Sequence, residues 1–240
     1  MKIAIIGNSH IGALKRGWDV ISGAFPSVEV VFFGAKGESH KDLALEGRTL
    51  VARRPGLRRS IEFTSGGLTS IDLDDYDMFL VYGLSSNPYF ADIDGKYSRK
   101  AIEVTMRDRT EGRLGFKIVM MIASACDKPI YVGHNPLRAE RRNKSSQDLT
   151  AYLDGLAQIN AAIYEPLGVH LVGQPADTIV NGRNTELHFT QGSKRLETKV
   201  EETIRLHDEE DRTHMNDEFG VLWMRKFLAQ VTAAQSVMAD

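Results

Sequence analysis

Cysteine is nearly absent from this 240-residue chain: a single residue, Cys126, excludes an intrachain disulfide and fits a reducing compartment. No apolar run approaches the ~18 residues of a membrane-spanning helix, so no membrane partner is expected. Charge of one sign is also lacking. The chain carries 30 Lys+Arg against 32 Asp+Glu, a formal net charge of -2. That balance gives no electrostatic reason to expect a nucleic acid or an anionic membrane surface as partner. No basic and apolar leader precedes the first strand-like residues, and the cytoplasm is the expected location. Internal repeats, low-complexity tracts and linkers are missing too.

What the chain does have is a 42% hydrophobic composition, enough for a sizeable core, with one domain over residues 1–240 as the simplest count. Its start, MKIAIIGNSHIG, sets the pattern. Ile3 to Ile6 form a short apolar run that reads as a strand buried on both faces of a parallel sheet. Gly7-Asn8-Ser9 breaks it, and Ile11, Leu14, Trp18 and Ile21 then follow a helical spacing. A strand, a glycine turn and a helix place the Ser9 hydroxyl at the carboxyl edge of a sheet, where open α/β sheets keep their ligands.

Further strands are expected at residues 28–33, 77–82, 129–133 and 169–172. Helices are expected at 38–47, 101–125, 146–164 and 217–231. Residues 48–73 stand apart, with five arginines and two β-like pieces around Gly66-Gly67 that predict a β-hairpin insertion. Those arginines read either as a solvated surface or as a lid that receives an anionic substrate. The alternation predicts a three-layer α/β/α sandwich around a five-stranded, mostly parallel sheet, a flavodoxin-like arrangement.

A serine nucleophile needs a base, a group that orients the base, and donors for an oxyanion. Asp211 stands three residues before His214, and in a turn that spacing lets the carboxylate hold one ring nitrogen while the other faces outward. Asn216 is placed to cap the following helix. His10 and His134 are candidate pocket residues, with a structural role as the alternative for each. His40, His170, His188 and His207 show no metal-ligand spacing with one another or with Cys126, so neither metal nor cofactor is expected. GNSHIG lacks the Lys-Ser/Thr of a phosphate loop and the spacing of a dinucleotide fingerprint.

These residues resemble the blocks of the SGNH (GDSL-type) hydrolase family of serine esterases. Gly7-Asn8-Ser9 matches two positions of its Gly-Asp-Ser block, with Asn8 in place of Asp. Asp211 and His214, with Asn216 beyond, match its Asp-x-x-His block. The resemblance implies a Ser9-His214-Asp211 triad. It also implies an oxyanion hole from the Ser9 amide, a glycine amide after the second strand (Gly37, with Gly34 as the competing choice) and the Asn87 side chain. Asn135 joins His10, Gly34 and His134 as candidate pocket residues. The implied activity is hydrolysis of an ester through an acyl-enzyme, with a short acyl or O-acetyl group on a polar or carbohydrate substrate. The alternatives are a degenerate member that binds a glycan or acylated ligand without turnover, and an acyltransferase.

Overall fold

The structure, a computed structural model, describes residues 1–85, 97–140, 148–199 and 205–238. In chain order its main elements are β1 (Lys2–Gly7), α1 (Ile11–Ile21), β2 (Glu29–Gly34), β3 (Leu43–Glu46), β4 (Thr49–Ala52), α2 (Pro55–Ser65) and β5 (Ser70–Asp72). There follow β6 (Met78–Tyr82), α3 (Arg99–Glu111), α4 (Leu114–Ala123), β7 (Ile130–Gly133), α5 (Thr150–Ile159), β8 (Val169–Val172) and α6 (Asp217–Met238). Five of the strands form one sheet in the order β2-β1-β6-β7-β8, every neighbouring pair parallel.

The near-continuous apolar character of these strands has a direct cause. Side chains alternate across a strand, so a sheet covered on both faces needs apolar residues at every position. Ile3 and Ile5 of β1 join Met78 and Leu80 of β6 under α1 and α6. Ala4 and Ile6 join Phe79, Val81, Ile130 and Val132 on the other face, under residues of α2, α4 and α5. Two cores on opposite faces of one sheet make the three-layer α/β/α sandwich.

The contact between α1 and α6 is the one that matters for the site. Gly17 and Gly220 let these helices touch backbone to backbone: a Cβ on Gly220 would strike the Ala13 carbonyl, and one on Gly17 would strike the Gly220 carbonyl carbon. At the same end Asp217 receives Arg16 Nε and Lys194 Nζ, each at 2.5 Å. The residue run just before α1 and the run just before α6 are therefore brought together.

The hairpin lies elsewhere than residues 48–73 predicted. Residues 55–65 form a helix: Pro55 stands in its first turn, and Leu57, Ile61 and Thr64 are buried on one side. Gly66, at φ +80°, ends it in the left-handed conformation that a helix terminus favours. The Gly-Gly pair is thus a helix stop. The hairpin forms between β3 and β4, where Glu46 pairs with Thr49 and Gly47 (φ +62°) opens the two-residue loop; β5 adds a third antiparallel strand. The expected helix over 38–47 is accordingly a short 3-10 turn followed by β3. Three arginines of this region pair with carboxylates: Arg48 with Asp74, Arg53 with Glu46 and Arg54 with Asp42.

The helix expected over 101–125 is two helices, broken at Gly112-Arg113, where Arg113 is extended. Tertiary packing overrides propensity here. The Gly115 amide donates to the Leu84 carbonyl at 3.0 Å, and a Cβ on Gly115 would collide with Ser85 and Leu84. Breaking the helix lets the start of α4 press against the segment that follows β6. The helix expected over 146–164 is α5, continued by one π turn at Asn160–Tyr164 whose Asn160 side chain accepts from the Leu171 amide of β8 at 2.9 Å.

Candidate active site

Ser9 stands two residues beyond β1, at the carboxyl end of the sheet. Its turn is closed by Ile11 and Gly12 amides donating to the Asn8 and Ser9 carbonyls. Asn8 fixes the turn sideways: its Nδ2 donates to the Gly83 carbonyl at 2.5 Å, and its Oδ1 accepts from the His10 amide at 3.1 Å. An aspartate at position 8 could accept from His10 but has no hydrogen to give Gly83. The amide side chain therefore suits this chain better than the aspartate of the block it resembles. Gly83 itself has φ +72° and lies so close that a Cβ would meet Asn8 Oδ1 at 2.8 Å.

The opposite component comes from the loop before α6. Asn216 caps that helix, its Oδ1 accepting from the Phe219 amide at 3.1 Å while its Nδ2 donates to the His188 and Gln191 carbonyls. Just upstream, Asp211 Oδ1 gathers the Thr213 amide (2.7 Å), the Thr213 hydroxyl (2.8 Å) and the His214 amide (3.1 Å). Asp211 Oδ2 lies 2.8 Å from His214 Nδ1. Partial burial pushes the Asp211 pKa upward, but the donors from Thr213 and His214 outweigh it and hold the carboxyl well below the usual range. An ionised Asp211 fixes the His214 tautomer with its hydrogen on Nδ1. His214 Nε2 is then an acceptor, and the Ser9 hydroxyl sits 2.9 Å from it. Residues 205 positions apart complete one hydrogen-bonded line, Ser9–His214–Asp211.

Two further imidazoles lie on the His214 ring. His207 stacks on it at 3.8 Å between centroids, with planes 9° apart, and His10 stacks at 4.7 Å. His207 Nδ1 also reaches Asp211 Oδ2 at 3.2 Å. Burial, with repulsion from His214 second, pushes His10 down to about 3 and His207 down to about 4, so both are neutral at neutral pH. Nothing in the local sequence around His207 signals this role; the only hint is its spacing of four residues from Asp211.

His207, Asp211 and His214 offer ligand atoms that all lie within 4.8 Å of one another. The rings are nearly parallel, however, so the lone pairs of the two Nδ1 atoms lie in separate planes and do not point to one cation position. The arrangement fits a shared hydrogen-bond acceptor better than a metal centre.

A cavity of about 530 Å³ is lined by Asn8 and His10, the two neighbours of Ser9 in the chain, and by Gly37, Gly83, Asn135 and Thr213 among others. Of the two competing glycines, Gly37 is on this wall and Gly34 is not. The Gly34 amide already donates to Thr64 Oγ1 at 2.8 Å, so it has no hydrogen for an oxyanion. Gly37 sits at φ +60° in a turn pinned by His40, whose Nε2 lies 3.1 Å from the Phe33 carbonyl. Among the described residues, no acceptor takes the Ser9 or the Gly37 amide hydrogen. Asn135, with its side-chain amide oriented so that nitrogen donates, bonds the Gly83 carbonyl at 2.7 Å and the Ser85 carbonyl at 2.9 Å. His134 lies behind this wall, buried, with its ring nitrogens on the Asn135 carbonyl and the Tyr152 hydroxyl. Asn87 lies outside the described residues. No helix among the described residues is long and apolar enough to cross a membrane.

No protein-family model matches the chain, and no curated protein matches it in sequence. Among solved structures it is similar to the periplasmic domain of a lipopolysaccharide acetyltransferase of Salmonella ser. Paratyphi A. The TM-score is 0.47 and the identity 12%, over 96% of this chain and 83% of that one. It is also similar to a gut microbial diltiazem-metabolizing enzyme, with a TM-score of 0.41 and 9% identity over 95% of this chain and 46% of that one. A protein from Bacillus subtilis gives a TM-score of 0.38 and 12% identity over 95% of this chain and 56% of that one. The chain thus spans about half the length of the latter two. At this degree of likeness the reading of the site rests on its own geometry.

Proposed function

We propose that the protein is a serine esterase of the SGNH type, acting on a short acyl group carried by a polar or carbohydrate alcohol. The observation that carries this reading is the unbroken line from the Ser9 hydroxyl through His214 to an ionised Asp211, at 2.9 Å and 2.8 Å. In the proposed reaction Ser9 Oγ bonds to the ester carbonyl carbon as its proton passes to His214 Nε2. Asp211 stabilises the imidazolium that forms. The flanking His10 and His207 rings, both neutral, present no opposing charge to it. The Ser9 and Gly37 amides point this chemistry toward the cavity side, where they would donate to the carbonyl oxygen as it becomes negative; Asn87 keeps the third donor role that the resemblance implies.

Collapse of the tetrahedral species breaks the bond to the alcohol, which leaves with the proton held by His214. Water then adds to the acyl-serine, giving its proton to His214, and the acid departs with the Ser9 hydroxyl restored. The test is labelling by a fluorophosphonate. Wild type is expected to be labelled at Ser9 and Ser9→Ala to be unlabelled, with ester turnover reduced on the order of 10⁴-fold or more. Labelling that persists in Ser9→Ala would place the nucleophile elsewhere.

A further inference from the structure

Resting on the esterase reading of Ser9, we propose that the cavity beside it holds an oxyanion of the substrate, a carboxylate or a phosphate, through Arg113 and Arg138. Among the described residues, three guanidinium residues line this cavity, Arg109, Arg113 and Arg138, against one carboxylate residue, Glu38. For a chain whose net charge is -2, that local excess of cations is a departure from its surface as a whole. The arginines come from separate parts of the fold. Arg109 lies in the last turn of α3, Arg113 in the break between α3 and α4, and Arg138 in the segment after β7. The break that packing imposes on the 101–125 helix is what turns Arg113 to this wall.

Several arginines elsewhere in the protein are held by carboxylates: Arg16 on Asp217, Arg48 on Asp74, Arg53 on Glu46. Arg113 and Arg138 differ. Among the described residues neither meets a carboxylate, and Arg113 Nε is oriented by donating to the Arg109 carbonyl at 3.3 Å, which leaves its terminal nitrogens for a ligand. A guanidinium has five donors and no acceptor, so it complements a group made only of acceptors. A neutral sugar hydroxyl presents as much donor as acceptor and gains little from it. Carboxylate and phosphate oxygens, by contrast, take two parallel N–H donors from one fork. The neighbouring Asn8, His10 and Asn135 side chains supply polar wall for the remainder of the molecule. A cavity of about 530 Å³ has room for a moiety of one sugar's size beyond the scissile ester.

The experiment compares acetate esters of para-alkyl phenols, similar as leaving groups and different in a remote charge. These are 3-(4-acetoxyphenyl)propanoate, its neutral amide, the matching propylammonium compound, and 2-(4-acetoxyphenyl)ethyl phosphate. With wild-type protein, kcat/KM for an anionic ester is expected to exceed that for the amide about tenfold, and the cation to fall below the amide. The advantage should shrink as salt rises from 20 to 500 mM, because the cavity opens to solvent. In Arg113→Gln/Arg138→Gln the anionic and neutral esters should become equal, and whichever anion gains more in wild type identifies the oxyanion.

Equal kcat/KM across the charge series in wild type, or a preference for the cation, overturns the proposal. Calorimetric binding of the phenol products needs no turnover. Tighter binding of 3-(4-hydroxyphenyl)propanoate than of its amide, lost in the double variant, supports the subsite even if no ester is cleaved, and only the esterase reading then falls.

Discussion

Two histidines at the carboxyl end of the sheet end their hydrogen-bond chains differently. His134, one residue beyond β7, is buried and pushed down to about 4 by desolvation. Its Nδ1 donates to the Asn135 carbonyl, and its Nε2 accepts from the Tyr152 hydroxyl at 2.7 Å. Tyr152 in turn accepts from the Gln174 amide, and the Gln174 side chain joins Leu137, Thr178 and Thr185. Every partner in that chain is another part of the protein. His214 has the same kind of ring but a different pair of neighbours: an ionised carboxylate on one nitrogen and a serine hydroxyl beside a cavity on the other. A closed network ties loops together, whereas an open-ended one has a proton to exchange with a ligand. Burial alone therefore does not mark a histidine for chemistry; the terminus of its hydrogen-bond chain does.

Replacing Asp211 attacks the open chain directly. Asp211→Asn keeps the size of the side chain but cannot accept at every position, and kcat is expected to fall about 10²- to 10⁴-fold, read by steady-state ester hydrolysis. The same carboxylate gives a pH signature. Its native pKa lies below the ordinary value, so its ionised form contributes stability that is fully present above about pH 5 and is lost as pH falls from about 3.9 toward the lower native value. The stability gap between wild type and Asp211→Asn, from urea titrations, should narrow below about pH 4. A gap unchanged down to pH 2 would show that Asp211 is not specially stabilised.

The next largest effect concerns how the open chain is assembled. Gly220→Ala puts a Cβ into the Ala13 carbonyl and forces α1 and α6 apart, at an expected cost of about 2 kcal/mol or more. Because Ser9 lies just before α1 and His214 just before α6, activity per folded molecule should fall as well. Gly23→Ala is the matched control, since nothing lies within 4 Å of its Cβ, and it should leave the melting temperature and the turnover near wild type. Equal melting temperatures for the two variants would remove the close helix crossing from the account.

The closed chain should respond in the opposite sense. His134→Phe removes one hydrogen-bond partner of the Tyr152 hydroxyl and is expected to cost about 1–3 kcal/mol in stability, seen by denaturant unfolding. Its kcat should stay within a factor of about three of wild type at a temperature where the variant is folded. A loss of kcat comparable to that of Asp211→Asn would erase the distinction between the two histidines.

Much of this architecture is legible in the amino-acid sequence. The near-continuous apolar runs of β1, β6 and β7, and the shorter ones of the edge strands β2 and β8, announce a doubly covered parallel sheet, because burial on both faces calls for apolar residues at successive strand positions. The residues of the line, Ser9, Asp211 and His214, stand out from their local settings. The β-like piece before Gly66-Gly67, residues 60–65 (SIEFTS), misleads because an alternating pattern of six residues fits a strand as well as one side of a helix. Pro55, at the helix start, is the signal that favours the helix. The break at Arg113 is marked locally only by Gly112 and Gly115, which a helix can tolerate; what decides it is a contact between Gly115 and Leu84, about 30 positions earlier.

The sequence by itself determined the layers and the chemical types available, because periodicity and residue identity are properties of short stretches. Only the tertiary structure decided that His10 and His207 stack on the His214 ring, which glycine amide keeps its hydrogen free, and which arginines face the cavity. Those are matters of which distant segments touch. Here that was settled by two glycines that let α1 and α6 approach, and by a helix broken so that its second half could pack.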